Sequence, residues 1–179
     1  MKVLIVCASK YGSTHQIGRW MRERYLHEGC ITDLIDAAEQ AAIVDYELIV
    51  MGSGIYSHKI LPSLKDFIDG NLEALKAKRT ALFGVLMKTS PVFYKGSIHG
   101  GLEHLRPHIE LLRESIIHAD MLHGEIVPSR LSPEDREAMM RFYRLINLSE
   151  PDIRERLRPR TMMDKREAWD FVEKTFKIQ

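Results

Sequence analysis

The chain has 179 residues, 45% of them hydrophobic and 28% charged, and its 26 basic residues against 25 acidic ones leave a net charge of +1. That length suits a single domain with a full core, and so even a charge balance argues against a nucleic-acid-binding protein, which would carry a basic excess. Two cysteines, Cys7 and Cys30, are too few for a disulfide framework or a zinc ligand set, and both lie in or beside apolar runs, so buried thiols in a reducing compartment are expected.

The opening Met-Lys-Val-Leu-Ile-Val enters a strand pattern at once and is followed by Ser9-Lys10-Tyr11. It lacks the small-residue cleavage site of a signal peptide, and no apolar run approaches the ~20 residues of a membrane span. A cytoplasmic protein is the expectation. Val3 to Ala8 is a continuous apolar run, the mark of a strand buried on both faces. After a hydroxyl-bearing loop, Ser9 to Thr14, the spacing of Ile17, Trp20, Met21 and Tyr25 predicts a helix that Gly29 is placed to end. A short second strand is expected over Ile31 to Ile35. A third runs over Leu48 to Met51 and closes on a loop at Gly52-Ser53-Gly54.

One helix is predicted to carry Leu64, Phe67, Ile68, Leu72 and Leu75, with Pro62 near its first turn. Thr80 to Met87 reads as strand four, and Lys88 to Gly101 as a long connection rich in Gly, Ser and Pro. A helix through Leu102, Leu105, Ile109, Leu112 and Ile116 follows, its regular part starting near Pro107, and Met121 to Val127 is the expected fifth strand. Apolar strands alternating with amphipathic helices, without hairpin signals, predict a doubly wound α/β fold. Five parallel strands in the order 2-1-3-4-5 suit this length.

A helical insertion over about residues 131–163 then interrupts the pattern. Ser132-Pro133-Glu134-Asp135 reads as a helix start, and Met139, Phe142, Tyr143 and Ile146 form its apolar stripe. That stripe either packs on its own domain or, with Arg141 and Arg144, meets an apolar substrate or a membrane surface. Ser149 to Met163 reads as an irregular stretch, and its Arg154 to Arg160 as solvated basic charge or an attractor of an anionic partner. The last helix begins at Asp164, with Glu167 as its capping partner, and buries Trp169, Val172 and Phe176. No metal site is expected, since His99, His104, His108, His118 and His123 form no recognised ligand spacing.

In such a sheet, ligands bind outside the carboxyl ends of the strands, at the switch point beside strands one and three. Hydroxyls at Ser9, Ser13 and Thr14, with Gly12 relaxing the backbone, stand there at a helix N-terminus, where unpaired N–H groups favour an anion. Walker and dinucleotide glycine patterns are absent. Cys7 lacks the arginine six residues on that a cysteine phosphatase needs, and strand three ends in Met51-Gly52, without a receiver-domain aspartate.

Ser9-Lys10-Tyr11-Gly12-Ser13-Thr14 resembles the flavodoxin Ser/Thr-x-x-Gly-x-Thr phosphate loop, and Gly52-Ser53-Gly54-Ile55-Tyr56 resembles the segment after strand three in the same family. The resemblance covers about residues 1–127 and the last helix, and it implies non-covalent FMN. Ser9, Lys10, Tyr11, Gly12, Ser13 and Thr14 would surround the phosphate. Ser53, Gly54, Ile55, Tyr56 and His58 would border the flavin ring, with Met87, Lys88 and Thr89 on a third loop that lacks the usual immediate aromatic. His58, Lys59 and Lys88 are either solvated or place positive charge near the ring; a cation there raises the two-electron potential.

Within that family the chain is similar to the branch of menaquinone-dependent protoporphyrinogen dehydrogenases and related flavodoxin-domain proteins. The carriers of the similarity are the compact first loop, the helical insertion, and Asp164, Trp169 and Val172. It departs from that branch at Tyr56, where an arginine is common. The implied function is an FMN oxidoreductase linked to a quinone, a porphyrinogen or another small-molecule donor. Two alternatives stay open: an electron carrier between redox partner proteins, and a flavodoxin-fold scaffold without flavin.

Overall fold

A computed structural model describes residues 1–39, 41–94 and 96–177. In chain order the elements are β1 (Lys2–Ala8), α1 (Ser13–His27), β2 (Ile31–Asp36), β3 (Leu48–Tyr56), β4 (Lys59–Ile60), α2 (Pro62–Gly70), α3 (Leu72–Lys76), β5 (Arg79–Leu86), β6 (Val92–Tyr94), β7 (Ser97–His99), α4 (Arg106–Leu112), β8 (Ile116–His123), β9 (Glu125–Ile126), α5 (Pro133–Leu145), α6 (Glu150–Arg156), β10 (Arg160–Thr161) and α7 (Lys165–Phe176). The parallel sheet runs β2-β1-β3-β5-β8, the expected winding.

Strand β1 pairs on both sides, Val3 with Thr32 and Leu48, and Val3 to Cys7 are fully buried. Each such aliphatic side chain contributes about 1.5–3 kcal/mol of burial, which is why the apolar run reads so plainly as a central strand. One face of the sheet packs on α1 and α7 through Ile5, Ile17, Met21, Phe83, Phe171 and Val172; the other packs on α2 to α4 through Leu4, Ile49, Leu64, Ile68 and Leu105. On the first face Tyr25 and Thr175 share a buried hydrogen bond of 2.8 Å, and Phe83 meets Phe171 edge-on at 5.6 Å.

Five expectations need correction. Gly52-Ser53-Gly54 is not a loop: β3 continues to Tyr56 and pairs Gly52 with Phe83 and Gly54 with Val85. Gly52 stands there because a Cβ on it would come within 2.0 Å of the Phe83 ring; the glycine marks a close approach within a strand. Hairpins exist, β3–β4 and β6–β7, the latter inside the segment read as a connection; Lys95 in that segment lies outside the described residues. The helix through Leu64 and Leu75 is broken at Asn71 into α2 and α3.

The helix before the fifth strand is short, because Arg113 takes φ 36° and Ser115 Oγ donates to Leu112 O, so β8 begins at Ile116, earlier than Met121. Finally, the stretch after Ser149 is not irregular. It holds α6, capped by Ser149, and β10, whose pairing with β9 closes the insertion at its base. On α5 only Tyr143 is buried, while Phe142 and Ile146 are 52% and 46% exposed.

Candidate functional site

The carboxyl ends of β1, β3 and β5 converge at one edge of the sheet. Beyond β1, Ser9 Oγ accepts a hydrogen bond from Gly12 N–H at 2.9 Å and tightens the turn. Gly12 then takes φ +101°, a conformation side chains resist, and α1 starts at Ser13. Among the described residues no side chain caps this helix, and its first turn holds no acidic residue. Its first N–H groups and the positive end of its dipole therefore offer themselves to an outside anion. Thr14 is 1% exposed.

Beyond β3, the hairpin to β4 turns through Ser57 and His58, at φ 46° and 65°. Ser53 is fully buried and its hydroxyl is spent locally: it donates to Gly54 O at 2.7 Å and accepts from Leu61 N–H at 2.8 Å. It braces the hairpin. Tyr56 folds back over Gly54, where a Cβ would meet its ring at 2.8 Å, and stands 6.2 Å from the Tyr11 ring. Burial, with Tyr11 and Asp135 adding to it, pushes the Tyr56 phenol up to about 12.

Between these turns lies a cleft of about 160 Å³. Ser9, Tyr11, Ser13 and Thr14 line one side of it; Gly54, Ile55, Tyr56 and Met87 line the other. The enclosed space is smaller than the roughly 300–1,000 Å³ of a drug-sized pocket, and the two tyrosine rings stand at its wall. One end is polar and set for an anion; the other, with Ile55, Val85 and Met87, is apolar and suits a flat ring.

The remaining expected residues stand elsewhere. Gly12 shapes the turn without lining the cleft, and Ser53 lies behind it. His58 stacks on His104 at 5.3 Å. Lys88 is exposed, and Thr89 borders a neighbouring cavity. Lys10 turns away to an ion pair with Asp135 at 2.5 Å. That bond lifts the Lys10 ammonium above its ordinary range and, with a hydrogen bond from Tyr11, holds the Asp135 carboxyl below its own.

Sequence reasoning missed one wall entirely. The segment from Gly124 to Leu131 adds a further wall to the cleft, and within it Arg130 and Glu125 stand 3.7 Å apart. Next to it the start of α5 is fastened to the turn after β1: Tyr11 Oη donates to the Asp135 carboxylate and accepts Ser132 N–H at 3.0 Å. A strand followed by Pro128 carries no local signal that the chain will return across a loop more than a hundred residues earlier. Among the described residues no group of three or more His, Cys, Asp or Glu side chains could hold a metal ion, and no helix is long and apolar enough to cross a membrane.

Comparison with curated proteins finds no match. Among solved structures, a flavodoxin from the Archaea aligns over 98% of this chain and 99% of its own, with 16% identity and a TM-score of 0.55. Two-electron reduced Megasphaera elsdenii flavodoxin aligns over 66% and 84%, with 17% identity and a TM-score of 0.53. The rubredoxin:oxygen oxidoreductase of Desulfovibrio gigas aligns over 98% of this chain, at 18% identity and a TM-score of 0.51, but this chain spans only 36% of that protein. These likenesses show the fold. A family model for the flavodoxin domain matches residues 4–151, most of the chain; the protein belongs to the flavodoxin-domain family.

Proposed function

We propose that the chain binds FMN in the cleft between the turn after β1 and the hairpin after β3, and works as an oxidoreductase passing electrons through it. The observation that carries this reading is the meeting of Ser9, Ser13 and Thr14 with Ile55, Tyr56 and Met87 in one cleft beside an uncapped helix start. Bound flavin would supply one- and two-electron chemistry, so the protein needs only to hold, orient and shield it. The N–H groups of the first turn of α1, with the Ser9, Ser13 and Thr14 hydroxyls, would take the phosphate without a salt bridge. Ile55, Val85 and Met87 would exclude water from the ring, and Tyr56 would flank it. Lys10 is neutralised by Asp135 and belongs to the outer rim in this reading.

An enzyme acting on a small quinone or porphyrinogen is favoured over a carrier by the cleft's surroundings. His58, Lys59 and Lys88 are exposed just beyond β3 and β5, outside the cleft lining, where a carrier would present an acidic docking face. The carrier alternative draws support from the end-to-end match with an archaeal flavodoxin. Buried free thiols at Cys7 and Cys30 suit a cytoplasmic location.

The test is to incubate the purified chain with FMN, desalt it and record its absorption. One retained FMN per chain is the expected result, and a colourless protein overturns the proposal in favour of a scaffold. Turnover of the loaded protein with a quinone or porphyrinogen supports the enzyme; exchange with redox proteins alone supports the carrier.

A further inference from the structure

Glu167 stands three residues after the N-cap Asp164, the spacing of a capping pair, yet it does not cap. Asp164 instead accepts from Arg166 N–H at 2.8 Å, and the Glu167 carboxylate turns to the end of β8. There Oε2 accepts His123 N–H at 3.0 Å and Oε1 lies 2.6 Å from His123 Nδ1. An ionised carboxylate can only accept, so the proton sits on Nδ1 and the neutral ring keeps Nε2 as an acceptor. That atom lies 3.2 Å from Thr89 Oγ1. Three residues from α7, β8 and the loop after β5 thus make an unbroken hydrogen-bonded chain, in the order orienting acid, base and hydroxyl.

Thr89, and the sequence neighbours of Thr89 and His123, border two spaces. Met87, two residues before Thr89, and Gly124, next to His123, both line the cleft described above. Thr89 itself borders a second cavity of about 380 Å³ beneath the β6–β7 hairpin, with Pro91, Ile98, Leu102 and Met121 among its apolar walls. The two carboxylates at its rim are occupied: Glu103 by Arg106 and Asp120 by Lys174, each at 3.0 Å. Such a cavity suits an uncharged ring whose carbonyl can accept a hydrogen bond.

We propose that Thr89, His123 and Glu167 deliver a proton to an apolar carbonyl acceptor of the quinone class bound in this second cavity; the role rests on the flavin reading above. Reduced flavin, when bound, would supply two electrons and one of the two protons that a quinone takes up on reduction. The second comes from solvent: it is taken up at the bare Nε2 of His123 and passes to the Thr89 oxygen as the Thr89 hydroxyl gives its own proton to the quinone oxygen. His123 ends neutral, its Nδ1–H held by Glu167. With the two electrons that the flavin would give up, the quinone gains two protons in all and becomes a hydroquinone. Thr89 and His123 act in proton transfer, and Glu167 is a positioning residue.

The test photoreduces the FMN-loaded full chain without oxygen and mixes it with 1,4-benzoquinone or with ferricyanide, which takes electrons but no proton. The quinone-to-ferricyanide rate ratio is expected to fall on the order of 100-fold in His123→Gln and in Thr89→Val, and about tenfold in Glu167→Gln. An unchanged ratio in folded Glu167→Gln and Thr89→Val overturns the proposal. Nitrogen NMR of histidine-labelled, flavin-free protein gives a second readout: neutral His123 is expected as the Nδ1–H tautomer in the wild type, with Nε2–H gaining in Glu167→Gln. A wild-type Nε2–H tautomer overturns the relay whether or not FMN binds. Failure to take up FMN with the Nδ1–H tautomer intact overturns the flavin reading and the quinone role with it, while leaving the hydrogen-bonded geometry standing.

Discussion

Two helix starts stand beside the turn after β1 and are built in opposite ways. At α5, Ser132 caps the helix, its Oγ accepting Asp135 N–H at 3.2 Å, and Glu134 and Asp135 put negative charge in the first turn. At α1, a left-handed glycine leads straight into the helix, with no side-chain cap and no acidic residue in the first turn. The first end satisfies itself; the second leaves donors for something else. Helix starts are thus informative when they lack what their neighbours have, provided hydroxyls and an apolar wall stand in front of them.

The sharpest way to break this contrast is Gly12→Val. A branched side chain at φ +101° strains the turn by about 1–3 kcal/mol and misaims the N–H groups, so FMN affinity in a fluorescence titration is expected to fall by about 100-fold or more. Thr14→Val removes one hydroxyl donor to a charged acceptor, a loss of about 1.5–3 kcal/mol, and should weaken FMN by about 10- to 100-fold with little change in urea midpoint. Ser132→Ala acts on the self-satisfied end. It is expected to cost about 1 kcal/mol of stability in urea unfolding while FMN affinity stays within about twofold. A large affinity loss there would mean that the two ends are not distinct.

The smallest effect concerns pH. Burial lowers the proton affinity of His104, reinforced by His58, and of His108 and His118. Their folded values lie below the unfolded value of about 6.5, so the unfolded chain binds more protons as the solution becomes acidic. Their contribution is fully present above pH ~6.5 and is lost as pH falls through the lowered folded values. A melting temperature that declines below pH ~6.5 is expected, and His104→Gln should flatten the decline.

How much of this was legible depends on what each residue answers to. β1, β5 and α1 answer to local pattern, because a strand buried on both faces must be apolar throughout and a helix on a sheet must carry a stripe. The turn after β1 was legible for the same reason: Ser9 and Gly12 act on each other within it. β8 was misplaced because it is an edge strand, with His118 and Asp120 facing α7 and breaking the apolar run. Gly52 looked like a loop residue because its reason, the Phe83 ring, is on another strand. Lys10, Ser53 and Glu167 each had a plausible local role and took a distant or structural one, with Asp135, Leu61 and His123. The wall at residues 124–131 owes its position to the β9–β10 pairing at the base of the insertion, which no short window of sequence contains.

The most direct measurement compares FMN with riboflavin, which carries the same ring without the phosphate, in paired fluorescence titrations of the full chain. If the open start of α1 holds the phosphate, FMN binds at least about 100-fold more tightly, two tenfold steps of about 1.4 kcal/mol each. Equal affinities, or no binding of either, would contradict the assignment of this cleft.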